Sequence, residues 1–248
     1  MKNIINLMIK SVLVCMLMIC AIAQATEQNG GVSLSRTRVV FLSTDSGQSI
    51  AINNHGQRTY LIKSTVTHTP EGQESAPFIV TPPLFRLEAN SRNILRILPQ
   101  NTQGLPNDRE SVFYLSTFMV PASQKPDAST AESMSARVSV GLQNIIKLFY
   151  RPTELSMTPE QAEKALLFTQ LGNQVQVKNP TPYYQTFAQL TLDGTLVNVR
   201  DSVSMIAPFS QVSYPVKGVV HQAQWSVIND YGGSSPAYQA VVQKGGGV

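Results

Sequence analysis

The chain has 248 residues, of which 42% are hydrophobic and only 14% charged, and its formal net charge is +4. So small a charge, with basic residues scattered along the chain, excludes a nucleic-acid-binding surface built from a run of lysines and arginines. The length suffices for two domains of about 100 residues each.

The first 25 residues are typical of a secretory signal peptide. Lys2 and Lys10 flank the start of the chain, the apolar run SVLVCMLMICAIA follows, and the small-residue pattern A-Q-A ends at Ala25. The apolar run is shorter than the ~20 residues that span a membrane. Cleavage after Ala25 would remove Cys15, Cys20 and two lysines, which leaves a net charge of +2. The alternative, a lipoprotein signal at Cys20, is disfavoured by the bulky isoleucine before that cysteine. We expect an exported protein without disulfides and without stable membrane insertion.

The segment SLSRTRVVF, residues 33–41, predicts the first strand and raises a question. Residues two apart in a strand point to the same face, so Arg36 and Arg38 share a row with Leu34 and Val40. Such a row is usually buried. Two arginines in it indicate that the face is open to water or that an anion binds there.

The chain from residue 49 to residue 150 consists mainly of strand-like segments separated by Gly, Pro, Asn and Asp, with a polar loop at 122–134. The segments are 49–54, 59–68, 78–98, 111–120 and 136–150. This spacing favours an all-β sandwich, and seven or so strands within about 125 residues fit one immunoglobulin-like unit.

A change of character marks a predicted domain junction after Arg151-Pro152. The polar segment 153–166 contains a short helical turn opened by Thr158, and strand-like runs then resume. The sequence therefore predicts a leader at 1–25, an N-terminal domain at 26–152 and a C-terminal domain at 153–248, each domain a β-sandwich.

A search for catalytic or metal-binding chemistry finds little. The three histidines, His55, His68 and His221, are far apart, and the mature chain has no cysteine pair with metal-ligand spacing. Neither a nucleophile elbow nor a dinucleotide-binding glycine motif occurs. We expect no enzyme activity, no metal and no cofactor.

An alternating apolar row begins the strand 136–150: Ala136, Val138, Val140 and Leu142. From periodicity alone, the row either packs inside the first sandwich or lies exposed on a sheet edge, where it would add to a partner. Both interpretations stay open at this point.

Several segments resemble the PapD-type periplasmic chaperones of pilus assembly. They follow the family's order along nearly the whole mature chain, and IKLFYRP and INDYGG together are the most specific. The matching segments are GVSLSRTRVVF (31–41), TPPLFRLE (81–88), LPNDRESVFYL (105–115), IKLFYRP (146–152), NPTPYY (179–184), APFS (207–210) and INDYGG (228–233).

The resemblance implies two immunoglobulin-like domains in a boomerang arrangement with an interdomain cleft. It further implies that Arg38 and Lys147 lie in that cleft and bind the C-terminal carboxylate of a pilus subunit. The chemistry agrees, because arginine binds a carboxylate bidentately and lysine adds a compact positive charge. Arg36 receives no such role.

The resemblance also implies a donor strand, in which Val138, Val140 and Leu142 complete the unfinished sandwich of a subunit. Lys147 lies at an odd position and this row at even positions, so strict alternation puts them on opposite faces. A bulge near Gly141 would bring them to one face.

Three further residues match an interdomain ionic cluster of the family: Glu110, Arg151 and Asp230. Their implied role is to set the angle between the domains. The proline motifs at 82–83 and 180–182 also match the family, and either is a candidate for a cis peptide bond.

We therefore interpret the chain as a periplasmic chaperone that binds pilus subunits by donor-strand complementation and delivers them to an outer-membrane usher. The alternative is a secreted carbohydrate-binding or adhesive β-sandwich protein. That class predicts exposed aromatic residues around a shallow site, whereas aromatic residues make up 7% of this chain and Trp225 is its only tryptophan.

Overall fold

The computed structural model describes residues 31–72, 74–122, 140–199 and 201–245. The predicted leader, Val138 and residues 123–134 of the polar loop lie outside these ranges. Within the described ranges, no helix is long and apolar enough to cross a membrane.

The part of the chain before residue 152 forms two antiparallel-rich sheets. One has the strand order β1-β3-β7-β5 and the other β2-β9-β8-β4-β6. Their strands are β1 (Val32–Leu34), β2 (Arg38–Leu42), β3 (Gln48–Asn54), β4 (Tyr60–Thr67), β5 (Phe78–Thr81), β6 (Leu84–Leu87), β7 (Arg92–Pro99), β8 (Ser111–Pro121) and β9 (Leu142–Arg151). A 3₁₀ turn, Thr102–Gly104, precedes β8, and the Thr81–Pro82 peptide bond is cis.

Alternation along these strands builds the first core. Ile50 and Ile52 of β3 point inward, and Leu95 and Ile97 of the paired β7 meet them from the same sheet. Phe113 of β8 comes from the opposite sheet and packs edge-on against the ring of Phe78. The inner faces of these strands are therefore apolar and their outer faces more polar, as in a sandwich of two sheets.

The predicted single strand 33–41 is wrong, because the chain changes sheets within it. β1 pairs with β3 in one sheet, residues 35–37 cross over, and β2 pairs in parallel with β9 in the other sheet. Within β2 the odd positions Val39 and Phe41 fill the core, so Arg38 points to the outer face. The sequence pattern did not show the crossover, because residues of both strands are apolar and extended.

The second half begins with a short helix, α1 (Pro159–Glu163). Thr158 caps it, since its hydroxyl accepts from the Gln161 N–H while the Gln161 side chain accepts from the Thr158 N–H. The strands that follow are β10 (Leu167–Leu171), β11 (Gln174–Lys178), β12 (Gln185–Leu192), β13 (Thr195–Leu196), β14 (Met205–Ile206), β15 (Gln211–Pro215), β16 (Gln222–Val227), β17 (Tyr238–Val241) and β18 (Gln243–Lys244).

These strands form a second sandwich of two sheets, ordered β15-β11-β10-β18 and β13-β12-β16-β17, with β14 paired to β12. Its core surrounds Trp225, whose ring lies 4.8 Å from that of Phe168. The indole N–H donates to the carbonyl of Glu163 in α1, which fixes the helix on the sandwich.

The two cores share no residue: one contains residues 32–150 and the other residues 166–242. The prediction of an all-β fold with two immunoglobulin-like sandwiches is thus confirmed. The boundary at residues 152/153 stays a prediction; β9 ends at Arg151 and α1 begins at Pro159.

Candidate functional site

The predicted basic pair, Arg38 and Lys147, lies side by side on neighbouring strands. Arg38 begins β2 and is directly opposite Lys147 of β9 in the parallel register. Neighbouring strands are about 4.8 Å apart, so two side chains on the same face form one cationic patch. The patch lies where β2 begins.

Arg38 is held by the second domain. It is 9% exposed, its Nη1 donates to the carbonyl of Ile228 at 2.9 Å, and its guanidinium carbon lies 5.5 Å from the Phe149 ring centroid. Its Nε is buried without a hydrogen-bond partner among the described residues. A buried donor without an acceptor costs about 1–3 kcal/mol, so the site is suited to an incoming acceptor.

The electrostatics of the pair also favour an anion. Burial lowers the pKa of Arg38, although the charges of Asp230 and Glu110 oppose the shift. Burial lowers the pKa of Lys147 as well, and the charge of Arg38 lowers it further. A buried and a half-buried cation side by side destabilise each other, and a bound carboxylate would relieve both effects.

Strand β9 is open along part of one edge. Its residues 142–150 pair with β8, but β2 pairs only with residues 147–151. Residues 142–146 therefore have a partner on one edge only within the part of the chain that the structure describes. An edge of this kind accepts a further strand.

The predicted donor row continues the buried row of β9 beyond the core. Ile146, Leu148 and Tyr150 are buried, whereas Val140 and Leu142 are 66% and 56% exposed. The second sheet of the sandwich covers Ile146, Leu148 and Tyr150 and leaves Val140 and Leu142 uncovered. Val138 of the predicted row lies outside the described residues.

No bulge occurs between residues 142 and 150, because the β8–β9 register is unbroken there. The predicted bulge is absent from this stretch, and Leu142 and Lys147 lie on opposite faces of β9. Gly141 instead lies beneath Phe118, where a Cβ atom would come within 2.7 Å of the ring. The predicted roles of Lys147 and of the donor row do not require a common face, because both border the same open edge of β9.

Glu110, Arg151 and Asp230 lie together between the domains. Arg151 Nε donates to Glu110 at 2.8 Å, and its two terminal nitrogens donate to the two oxygens of Asp230 at 2.6 and 2.7 Å. Glu110 also accepts from the Tyr184 backbone N–H at 2.8 Å. The Tyr183 ring lies 5.0 Å from the Arg151 guanidinium carbon. Residues of both domains thus hold one arginine.

The charges of this cluster are strongly coupled. Burial raises the pKa of Glu110 more than the charge of Arg151 lowers it. Burial alone would lower the pKa of Arg151, but the hydrogen bonds and charges of Asp230 and Glu110 raise it overall. Arg151 therefore remains charged.

Some residues of the site were not predicted from sequence. Ile228 contributes only its carbonyl, and Phe149 and Tyr184 stack across the domains with ring centroids 5.8 Å apart. Gly232 has φ +85° and approaches Thr37 so closely that a Cβ atom would overlap the threonine hydroxyl. Thr37 lies in the motif RTR and Gly232 in the motif INDYGG, so the sequence did mark both segments. Which residues of the two motifs touch depends on the domain arrangement.

No group of three or more His, Cys, Asp or Glu side chains suited to a metal ion occurs among the described residues. The pocket between the domains is lined by side chains of the residues above together with α1 residues Pro159 and Glu163. The charged residues that line it are two arginines, Arg38 and Arg151, and the carboxylates of Glu110, Glu163 and Asp230.

The fold and the site define a class: a two-domain β-sandwich protein in which a cationic pair, Arg38 and Lys147, lies beside the contact between the domains. Two family models match the chain: the pili and flagellar-assembly chaperone PapD N-terminal domain over residues 31–156, and the pili assembly chaperone PapD C-terminal domain over residues 161–239. The chain belongs to the PapD-like family of pilus assembly chaperones, as its motifs predicted.

Individual relatives agree over nearly the full length. Chaperone protein FimC of Escherichia coli K12 is 33% identical over 229 residues, covering 92% of this chain and 91% of FimC. Chaperone protein HifB of Haemophilus influenzae is 32% identical over 214 residues, covering 84% and 87%.

Solved structures agree as well. The E. coli chaperone DraB superposes with a TM-score of 0.75 at 32% identity, covering 86% of this chain and 97% of DraB. The Salmonella enterica complex of SafA pilin with the SafB chaperone matches with a TM-score of 0.74 at 30% identity, covering 86% of this chain and 97% of the matched chain.

Proposed function

We propose that this protein is a periplasmic chaperone that captures pilus subunits by donor-strand complementation and delivers them to an outer-membrane usher. The observation that carries the proposal is the half-paired edge of β9, which ends at the Arg38–Lys147 pair. Capture of this kind requires no nucleotide, metal or catalytic residue.

The topology supports a client strand that runs parallel to β9. β2 runs parallel to β9 and begins at Arg38, opposite Lys147. A client strand that continues the line of β2 along residues 142–146 in the same direction would end immediately before Arg38. Its terminal carboxylate would then meet the buried Nε of Arg38 and the ammonium group of Lys147. Only one register brings a chain end to this position.

The apolar row and the carboxylate contribute comparable free energies. Full burial of an aliphatic side chain contributes about 1.5–3 kcal/mol, so covering the exposed parts of Val140 and Leu142 contributes about 2–3 kcal/mol together. A hydrogen bond to a charged group contributes about 1.5–3 kcal/mol. The edge hydrogen bonds add affinity for any sequence. The apolar row and the carboxylate therefore both hold the client, and the carboxylate also fixes its register.

The relatives support the biological setting. FimC and HifB are named as chaperones, and the SafA–SafB structure is a complex of a pilin with its chaperone. The leader expected at residues 1–25 would direct this chain out of the cytoplasm. We infer pilus subunits as clients and an outer-membrane usher as the recipient.

The test removes the cationic pair. Arg38→Ala and Lys147→Ala should each abolish recovery of subunits that co-purify with the protein from periplasm, with the thermal unfolding of the chaperone largely preserved. Arg36→Ala is the matched control, since Arg36 is exposed and two residues away. Equal recovery with all three variants would refute a carboxylate anchor, and an adhesive β-sandwich would behave in that way.

A second variant tests the donor row. Leu142→Glu places a charge in the row that the client must cover and should weaken capture at least tenfold, because a buried unpaired charge is costly. Leu196→Glu is the control: Leu196 is 65% exposed on β13 of the other domain. Undiminished capture by Leu142→Glu would rule out this strand as the donor.

A further inference from the structure

Arg109 and Phe209 form a second contact between the domains, separate from the Glu110–Arg151–Asp230 cluster. Arg109 lies in the loop before β8, and Phe209 lies in the turn between β14 and β15. The guanidinium carbon is 4.9 Å from the centroid of the Phe209 ring. This distance is within the range of a cation–π interaction.

The backbone of Phe209 is unusual for its residue type. Its φ is +55°, in the left-handed region that bulky residues rarely adopt. The ring is 46% exposed, so packing within its own domain does not explain why a phenylalanine occupies this strained position. Strain of this kind is typical of positions with a function. The contact that the ring makes is with Arg109 of the other domain.

Arg109 is oriented for this contact. Its Nε and Nη2 donate to the two carboxylate oxygens of Asp108 at 3.0 and 2.8 Å. A bidentate pair fixes the plane of the guanidinium group, and its face is then available to the aromatic ring.

The turn of Phe209 belongs to the same structural unit that Glu110 contacts. The buried side chain of Asn179 donates to the carbonyls of Ala207 and Tyr183, at 3.0 and 2.7 Å, and so joins that turn to the loop 180–184. Glu110 binds this loop through its carboxylate and its own backbone N–H. Two adjacent residues, Arg109 and Glu110, therefore contact one rigid unit of the C-terminal domain at two positions.

We propose that Arg109 and Phe209 are positioning residues that fix the orientation between the domains and thereby keep the Ile228 carbonyl on Arg38. The interdomain contacts of Glu110, Arg151 and Arg38 lie together around one pocket, and rotation about that pocket would move Ile228 relative to Arg38. A second contact at a separate point opposes the rotation. The inference rests on the proposed function, in which Arg38 binds the client carboxylate.

The first test needs no client. Residual dipolar couplings of the full chain, without its leader, report the relative orientation of the two domains. In the wild-type protein both domains should share one alignment tensor, and in Arg109→Ala and Phe209→Leu the two tensors should differ in magnitude. Arg86→Ala is the matched control, because Arg86 also pairs with an exposed carboxylate, that of Glu88, within the N-terminal domain. Unchanged tensors in both variants would overturn the proposal.

The second test measures carboxylate recognition. The probe is a synthetic 15-residue peptide of alternating aliphatic and polar residues, of the order of the length of a long strand, made with a free C-terminal carboxylate and as the C-terminal amide. The preference of the wild-type protein for the free acid should fall about two- to fivefold in Arg109→Ala and in Phe209→Leu. The double variant should show no further loss; independent, multiplying losses would overturn the proposal. If the wild type itself shows no preference, the carboxylate anchor fails, whereas the orientation test still decides the domain contact.

The third test separates positioning from packing. Phe209→Gly removes both the ring and the strain, since glycine adopts positive φ freely. The stability of the C-terminal domain, followed by Trp225 fluorescence, should stay the same or rise, while the domain orientation is lost. A destabilised C-terminal domain with preserved orientation would show that Phe209 only packs within its own domain.

Discussion

Removal of the Glu110 carboxylate tests the interdomain cluster most directly. The Glu110 side chain is 2% exposed and accepts hydrogen bonds from Arg151 Nε and the Tyr184 N–H, both at 2.8 Å. Glu110→Ala leaves both donors without an acceptor. Removing one partner of a buried ion pair costs about 3–5 kcal/mol. We expect the free energy of unfolding to fall by about 3 kcal/mol in Glu110→Ala, the lower end of this range, because Asp230 still neutralises Arg151.

The isosteric variant separates charge from shape. Glu110→Gln keeps the volume and one acceptor oxygen, but its amide N–H₂ must face one of the two donors. The expected loss is smaller, about 1.5–3 kcal/mol. Burial raises the pKa of Glu110 in the folded protein, which therefore binds this proton more tightly than the unfolded chain does. Proton binding to Glu110 stabilises the wild-type protein fully below the pKa of the unfolded chain, and this stabilisation is lost as the pH rises through the pKa of the folded protein. Because glutamine does not titrate, the difference in free energy of unfolding between the wild type and Glu110→Gln should widen toward acid pH.

Urea denaturation with two probes measures the effect. Trp225 is the only tryptophan and lies in the second core, so its fluorescence reports the C-terminal domain, whereas circular dichroism reports both domains. The two transitions should coincide in the wild type and separate in Glu110→Ala.

Glu88→Gln is the matched control. Its ion pair with Arg86 has side chains 57% and 68% exposed, so the change should stay within about 1 kcal/mol. The reasoning fails if the free energy of unfolding of Glu110→Ala lies within about 1 kcal/mol of the wild-type value and its two transitions still coincide.

Three further expectations follow from single residues. Affinity for a subunit tail should be greatest below the lowered pKa of Lys147 and should fall as the pH rises through that pKa. The fall should therefore begin below pH ~10.4, the pKa of an ordinary lysine. Calorimetric titration at several pH values checks this, and a fall that begins only above pH ~10.4 contradicts it. Gly232→Ala should destabilise the protein because a Cβ atom overlaps Thr37, whereas Gly194→Ala, also at positive φ but with open space, should cost less; equal melting temperatures would be inconsistent with this contact. Asn179→Ala should destabilise the C-terminal domain by several kcal/mol, since its buried amide joins two turns; a loss below ~1 kcal/mol by Trp225 fluorescence would be too small for that role.

Much of the fold was predictable because its causes are local. Alternating apolar residues separated by Gly, Pro, Asn and Asp predicted two β-sandwiches. Thr158 opened a helical turn as predicted, because a capping box depends on four neighbouring residues. The motifs around residues 38 and 147 indicated two basic residues worth examining.

Two predictions failed where the answer depended on distant strands. The strand 33–41 breaks because β1 and β2 pair with different sheets, and which sheet a strand joins is decided by the partners that it meets. The bulge near Gly141 was invoked to bring Leu142 and Lys147 to one face. The unbroken β8–β9 register keeps them on opposite faces.

The apolar positions, the strand ends and the available charges could be read along the chain, because they depend on side-chain chemistry and short-range backbone preference. Three contacts could not be read in this way: Arg38 is opposite Lys147, Ile228 of the other domain binds Arg38, and Phe209 meets Arg109. Those pairs are 109, 190 and 100 positions apart, and no local energy term links residues so distant until the sheets and the two domains have assembled.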